Sequence, residues 1–303
     1  MGAGVVGLAT AIRLREAGVD AEVWATDVTP GTTSDVAAAI WYPYRAWPPE
    51  SVTAWSARTF RVLVRLADVA GSGVRLRRGT QLLRRPAPDP WWVSAVPGFA
   101  RASTVASPYV DGFRFVTPVA DMSVHLPFLM ARLRSLGGAV VRRTVIDLAD
   151  VAAQADAVVN CAGIGAGALA GDDGLVPVRG QVVRVAQRGV DEWILDEDDP
   201  AGLAYVVPRE RDVVLGGTAQ EGRVDLVPDP ADAAAILERC VVLQPRLSGA
   251  PVLGHAVGLR PVRAAVRVER EPDRPVIHNY GHGGAGVTLA WGCAEDVVRL
   301  VVA

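Results

Sequence analysis

The stretch MGAGVVGLATAIRLREAG, residues 1–18, decides how the rest of the chain is read. Gly2, Gly4 and Gly7 stand in the order G-x-G-x-x-G, the spacing of a turn that seats a dinucleotide pyrophosphate. The first glycine allows the tight bend, the second lets the backbone approach the pyrophosphate, and the third lets helix and strand pack closely. Val5, Leu8, Ile12 and Leu14 then share one helical face and Gly18 marks a stop, so a helix is predicted from Gly4 to Ala17. Its N-terminus would offer unpaired N–H groups to the phosphates. Next, AEVWA at 21–25 reads as a strand running into Thr26 and Asp27, which puts an acid near the place where a ribose hydroxyl is bound. A buried strand normally precedes such a turn, and here only Met1 does.

Composition narrows the class. A chain of 303 residues with half of them apolar can bury two cores, and two domains are expected. The formal net charge of -2 gives no footing for nucleic acid or an anionic membrane. No apolar run reaches the roughly 18 residues of a membrane span, and the start has no signal-peptide pattern, so a cytoplasmic protein is expected. Every basic residue in the Lys+Arg count is arginine, which excludes a Schiff-base lysine and a P-loop lysine. Cys161, Cys240 and Cys293 lie far apart in apolar contexts and read as inert core residues; no metal site is expected.

Along the chain, TPGTTSDVAAAIWYPY is a turn followed by small residues, and 78–118 is rich in Arg, Pro and Trp without clean periodicity. A helix is predicted over 122–136, with strand candidates in AVVRRTVIDL and ADAVVNCAG, the second ending in the glycine-rich turn GIGAGAL. QVVRV (181–185), AYVV (204–207) and DVVL (212–215) are strand-like, and 230–244 is helical. The chain closes on PVIHNYGHGGAGVTLAWGCAEDVVRLVVA, a strand, a glycine-rich turn and a helix. Three such turns far apart imply an α/β, Rossmann-like nucleotide domain assembled from 1–44, 122–178 and 256–303. Residues 45–121 and 179–255 would form an interleaved α+β cap on a mixed sheet.

The blocks VTPGTTSDVAAAIWYPY (28–44), VVNCAGIGAGAL (158–169), VRGQVVRV (178–185), AYVVPR (204–209), VGLRPVRAAVRVE (257–269) and IHNYGHGGAGVTLAWGC (277–293) occur in one order over nearly the whole chain. In them the chain resembles the flavin-dependent D-amino-acid oxidase family, which includes D-aspartate oxidase. The resemblance implies noncovalent FAD. Gly2, Ala3, Gly4, Val5 and Val6 match the pyrophosphate segment that Gly7 closes; Thr32, Thr33 and Ser34 match a hydroxyl-rich loop; and Ala38, Ala39 and Ile40 match residues under the flavin. Ile164 matches a position near the adenine, and Gly283, Gly284, Ala285, Gly286, Val287 and Thr288 match the turn around the isoalloxazine ring. Asp27 stands one residue beyond the family's usual ribose-binding acid, at the position after Thr26.

For the substrate, the resemblance selects Arg260 over Arg263 and Arg267 as the bidentate grip on an α-carboxylate. Tyr205 would touch the same carboxylate and the Gly284 carbonyl would receive the amine. The implied reaction is oxidative deamination of D-amino acids, with hydride passing from Cα to flavin N5 and O₂ returning as H₂O₂. Ala219, in GGTAQ, suggests neutral or apolar side chains; Arg209 or Arg223 could instead serve a D-aspartate oxidase. Glycine or sarcosine oxidation competes with this reading, as does a nicotinamide-dependent dehydrogenase. The segment DDPAGLAYVVP lacks the lid tyrosine of vertebrate members, so a reduced lid is expected, and the C-terminal Val-Val-Ala is no peroxisomal signal. No partner beyond the small-molecule D-amino acid and O₂ is expected, and a homodimer stays open. The first strand of this nucleotide fold lies mid-sheet, and its loss would leave backbone groups unpaired on both sides. The expectation is therefore a strand encoded upstream of Met1; the alternative is a truncated, non-catalytic product that binds FAD weakly.

Overall fold

The computed structural model describes residues 1–102 and 104–303. The first half of the chain forms α1 (Val5–Glu16), β1 (Glu22–Ala25), α2 (Thr33–Val36), α3 (Pro49–Ala67), β2 (Val74–Leu83), β3 (Ala100–Arg101), β4 (Asp111–Ala120), α4 (Met122–Ser135), β5 (Ala139–Arg142) and α5 (Leu148–Ala152). The second half adds β6 (Val158–Asn160), α6 (Gly165–Ala170), β7 (Val176–Ala186), β8 (Trp193–Asp196), β9 (Ala204–Pro208), β10 (Asp212–Gly216) and β11 (Gln220–Glu221). It ends with α7 (Pro230–Leu243), β12 (Val252–Arg270), β13 (Val276–His282) and α8 (Gly286–Val302).

A large mixed sheet runs β3-β4-β2-β8-β9-β10-β7-β12-β13-β6, with β11 paired to β7. A second, two-stranded sheet pairs β1 with β5 in parallel. The two meet at Met1 and Gly2. The Gly2 N–H donates to Trp24 O of β1 at 2.8 Å, while Cys161 N, just past β6, donates to Met1 O at 2.9 Å. The Met1 ammonium donates to Val159 O of β6 at 2.6 Å. This rung carries Gly2, at φ +94, to the start of α1. The positions 178/179 and 255/256, where the sequence suggests domain divisions, fall inside β7 and β12, so one sheet is continuous across them.

Helices α1, α4 and α8 pack together on the nucleotide-side core. Trp291 of α8 is fully buried there, with the guanidinium groups of Arg13 and Arg132 at 4.9 and 5.8 Å from its ring. Helix α8 also lies directly on α3: a Cβ on Gly292 would stand 2.2 Å from the Trp55 carbonyl oxygen. At that contact the Gly292 N–H donates to Thr59 Oγ1 at 2.9 Å. On the far layer, α7 buries Ala233, Ile236 and Cys240 against β7, β9 and β10.

Two sequence readings change. AVVRRTVIDL is strand only over Ala139–Arg142; Asp147 then caps α5, its Oδ1 accepting from Ala149 N at 2.8 Å, and Leu148 enters that helix. The stretch 78–118 contains most of β2 and all but the end of β4, two strands paired over ten residues. Its periodicity is hidden because arginines face outward, and because a Cβ at Gly79 would sit 2.1 Å from the Trp193 carbonyl, where β8 crosses close.

Replacing Gly292 by Ala should destabilise the protein by about 1–3 kcal/mol in chemical denaturation, as overpacking between two helices does. A second expectation concerns acid. His125 is fully buried, its Nδ1 2.8 Å from the Ser72 carbonyl and its Nε2 without a partner, and burial pushes it down to about 4. A histidine is near 6.5 when unfolded, so the fold favours its neutral form. The stability this contributes is present above pH 6.5 and is lost as pH falls through about 4. A His125→Gln variant should show a shallower loss of stability over that window.

Candidate active site

One cavity of about 830 Å³ opens between the two layers, near the upper end of small-molecule clefts. Its floor begins at the turn Gly2–Val6. Helix α1 opens on Gly4 with no side-chain cap, so after Val5, whose N–H donates to Ser34 Oγ at 3.0 Å, first-turn N–H groups face an anion site. Gly7 does not line the cavity; its Cβ position is 1.9 Å from Gly2 O, so its smallness serves packing. Thr26 and Asp27 both reach the cavity, at its exposed edge. Thr32 and Thr33 line it too, and Asp35 fixes their loop by accepting from Thr32 N at 2.8 Å.

The wall continues through Ala38, Ala39 and Ile40, with Ala39 in the left-handed region at φ 58. A non-glycine residue there is strained, and it is held by its carbonyl, which accepts from Ala120 N at 2.8 Å. Ile164, Gly283, Gly284, Gly286 and Val287 complete the expected lining. Ala285 and Thr288 do not belong to it. Ala285 is buried in the core, and the Thr288 hydroxyl bonds the Tyr42 backbone at 3.0 and 2.9 Å.

At the other end stand Arg260 and Tyr205. The Arg260 fork lies over Gly180 of β7, where a Cβ would come within 2.3 Å of Nη1, and Nη1 donates to Thr218 O at 2.8 Å. Among the described residues it has no carboxylate partner. Its neighbours do: Arg263 pairs with Asp172 at 2.8 Å and Arg267 with Glu269 at 2.7 Å. The Tyr205 ring lies across Gly216, whose Cβ position is 2.0 Å from its Cζ. Burial raises the Tyr205 pKa, and Arg260 beside it opposes the rise. Arg209 and Arg223 are spent elsewhere, on Asp212 at 2.6 Å and Asp225 at 2.5 Å, and neither they nor Ala219 lines the cavity.

Several lining residues escape the sequence reading. Tyr44 packs on Gly284, whose Cβ position is 2.4 Å from Tyr44 Cδ1. Glu197 lines the cavity with Leu195 and Leu203, and so does Tyr42, whose hydroxyl donates to Glu197 Oε2 at 2.7 Å. Tyr42 and Tyr44 lie inside the family-like stretch 28–44, which is the one signal that could have flagged them; Glu197 carried no local signal. His282 also faces the cavity, pushed by burial down to about 4, hence neutral at physiological pH. Cys161 lines it as well, with its thiol pKa raised by burial; burial also raises Cys240 to about 12 and Cys293 well above its ordinary value.

The lining fits FAD. Gly286 has its nearest neighbour to an added Cβ at 4.0 Å, and Gly163 and Gly165 have none within 4 Å, so bare backbone edges a cradle that side chains would fill. Within the same lining, His282 Nε2 and Asn279 Oδ1 are buried without a protein partner. Two buried polar atoms lacking partners beside open space suit a large polar ligand.

Comparison with known proteins gives the same class. Residues 1–300 match the family described as FAD dependent oxidoreductase (DAO). The chain is 53% identical over 306 residues to the D-amino-acid oxidase of Rubrobacter xylanophilus, covering 99% of this chain and 94% of that protein. It is 37% identical over 320 residues to the human D-aspartate oxidase, covering 99% and 93%. Glycine oxidase from Geobacillus kaustophilus has the same fold, with a TM-score of 0.81 at 18% identity over 99% of this chain and 93% of that one. The chain belongs to the DAO family of FAD-dependent oxidoreductases.

A Gly286→Val variant should keep its circular dichroism while its FAD affinity, followed by flavin fluorescence, falls about tenfold or more as the branched side chain enters the cradle.

Proposed function

We propose that this chain oxidises D-amino acids to 2-oxo acids and ammonia while O₂ becomes H₂O₂. The observation that carries the reading is Arg260, a guanidinium without a carboxylate partner among the described residues, which shares one cavity with the glycine cradle. The names of the relatives support it: one is a D-amino-acid oxidase and one a D-aspartate oxidase, both aligned over nearly the whole chain. In this reading residues 1–44, 122–178 and 256–303 hold FAD, and 45–121 and 179–255 close over the substrate.

Bound FAD supplies a hydride acceptor at N5 and returns two electrons to O₂. Arg260 grips the substrate carboxylate with two parallel N–H groups, and the Tyr205 hydroxyl donates to the same group. The Gly284 carbonyl accepts from the neutral amine. With carboxylate, amine and side chain fixed, the Cα hydrogen has one direction left, and exchanging two substituents turns it away; this sets handedness. Because the Cα hydrogen leaves as hydride, this route asks no side chain to take a proton from Cα. The N-terminus of α8, opening at Gly286 in the cavity lining, would offer positive partial charge to a bound flavin and so favour the negative charge it gains on reduction.

The substrate end is walled by Tyr44, Leu195, Leu203 and Val207, which favours neutral and apolar side chains. The D-aspartate reading needs a cation for a second carboxylate, and the two arginines named for it from the sequence are paired away from the cavity.

An Arg260→Ala variant should retain flavin but show a strongly raised KM for D-methionine, its fall in kcat/KM corresponding to about 2–5 kcal/mol of lost transition-state stabilisation. A KM near that of the unaltered protein would sink the assignment. A nicotinamide-dependent enzyme would instead purify without flavin absorbance.

A further inference from the structure

Glu197 follows β8 directly and begins the short connection to β9 that closes with Leu203. Both residues line the cavity. The connection is pinned from outside: Arg84 Nη2 bridges Asp196 at 2.8 Å and Asp199 at 2.7 Å, and Ala201 N donates to Asp199 Oδ1 at 2.8 Å. The carboxyl itself is held on one side only. Tyr42 Oη lies 2.7 Å from Glu197 Oε2, and Gln81 Nε2 donates to that same oxygen at 3.0 Å. Oε1 has no hydrogen-bond partner among the described residues.

The charges around it are mixed. Burial raises the Glu197 pKa, with Asp198 and Asp196 adding to the rise and Tyr42 and Arg45 opposing it. Tyr44 ties this corner to the substrate end, since its ring packs on Gly284 and its hydroxyl feels both Arg260 and Glu197. Once Arg260, Tyr205 and Gly284 hold the carboxylate and amine, the substrate side chain is left to run along Tyr44 and Leu195 toward this corner. A carboxyl oriented by two partners on one oxygen and open on the other is a ready acceptor for a cationic group. It opposes an anionic one by like-charge juxtaposition.

We propose that Glu197 sets the side-chain specificity of this site, admitting neutral and cationic D-amino acids and excluding anionic ones. The inference rests on the oxidase reading above. It deepens that reading by naming the residue that selects among substrate side chains.

The test uses isosteric pairs on the FAD-loaded protein. Peroxide formation is measured with D-arginine against D-citrulline and with D-glutamate against D-glutamine, with D-methionine as reference. Expected are kcat/KM ratios of about ten or more for the first pair and about a tenth or less for the second. In a Glu197→Gln variant both ratios should move toward one, which a merely structural glutamate would not cause. If that variant loses flavin, the ratios of the unaltered protein decide alone. Peroxide from D-methionine with flat ratios in the unaltered protein, or ratios unmoved in a flavin-loaded variant, overturns the role of Glu197 and leaves the oxidase reading standing. No peroxide from any D-amino acid overturns both.

Discussion

Between Val252 and Val262, β12 runs antiparallel to β7 in a ladder that reaches from the α7 layer to the nucleotide side. Both strands are long, and each belongs to both layers, so this pairing fixes the distance between the cofactor cradle and the substrate end. It also sets the register in which Gly258 faces Gly180 and Arg260 faces Val178. A slip of one residue would turn the Arg260 side chain to the opposite face of the sheet. The continuity of the sheet is thus what converts two groups of residues, far apart in sequence, into one cavity.

Within that frame the site is shaped as much by missing side chains as by those present. Gly180 leaves the space in which the Arg260 fork lies, Gly216 the space beneath the Tyr205 ring, and Gly284 the space against which Tyr44 rests. A guanidinium laid over bare backbone is confined in orientation before any ligand arrives, so less side-chain entropy is lost on binding. The same economy holds Glu197, where Tyr42 and Gln81 share one oxygen.

What the sequence made legible was local. The opening turn, α1, α4, α7 and α8 announce themselves through glycine spacing or a helical period. The family blocks then imply the cofactor and single out Arg260 as the candidate carboxylate grip. What it hid was non-local. The strand β2 loses its alternation to outward arginines, and Gly79 has meaning only against Trp193 across the sheet. The 19-residue β12 carries two glycines, a proline and a register shift against each neighbour, which blurs its alternation. Gly7, Ala285 and Thr288 sit inside the right motifs yet turn to packing, because a motif fixes the path of the backbone before it fixes which side chains face the ligand. Glu197 is one acid in the run DEDD, and only the fold separates the residue that enters the cavity from those that meet Arg84 or solvent.

The burial of the three cysteines has a bearing on how long such a catalyst survives its own turnover. Peroxide attacks the thiolate far faster than the thiol, and burial favours the protonated form of each of these sulfurs. Cys161 borders the cavity in which the oxidant would arise, so its suppressed ionisation protects the backbone contact by which Cys161 N holds Met1 O beside Gly2. All three cysteines of the sequence are buried, so none presents a thiol at the surface beside the cavity.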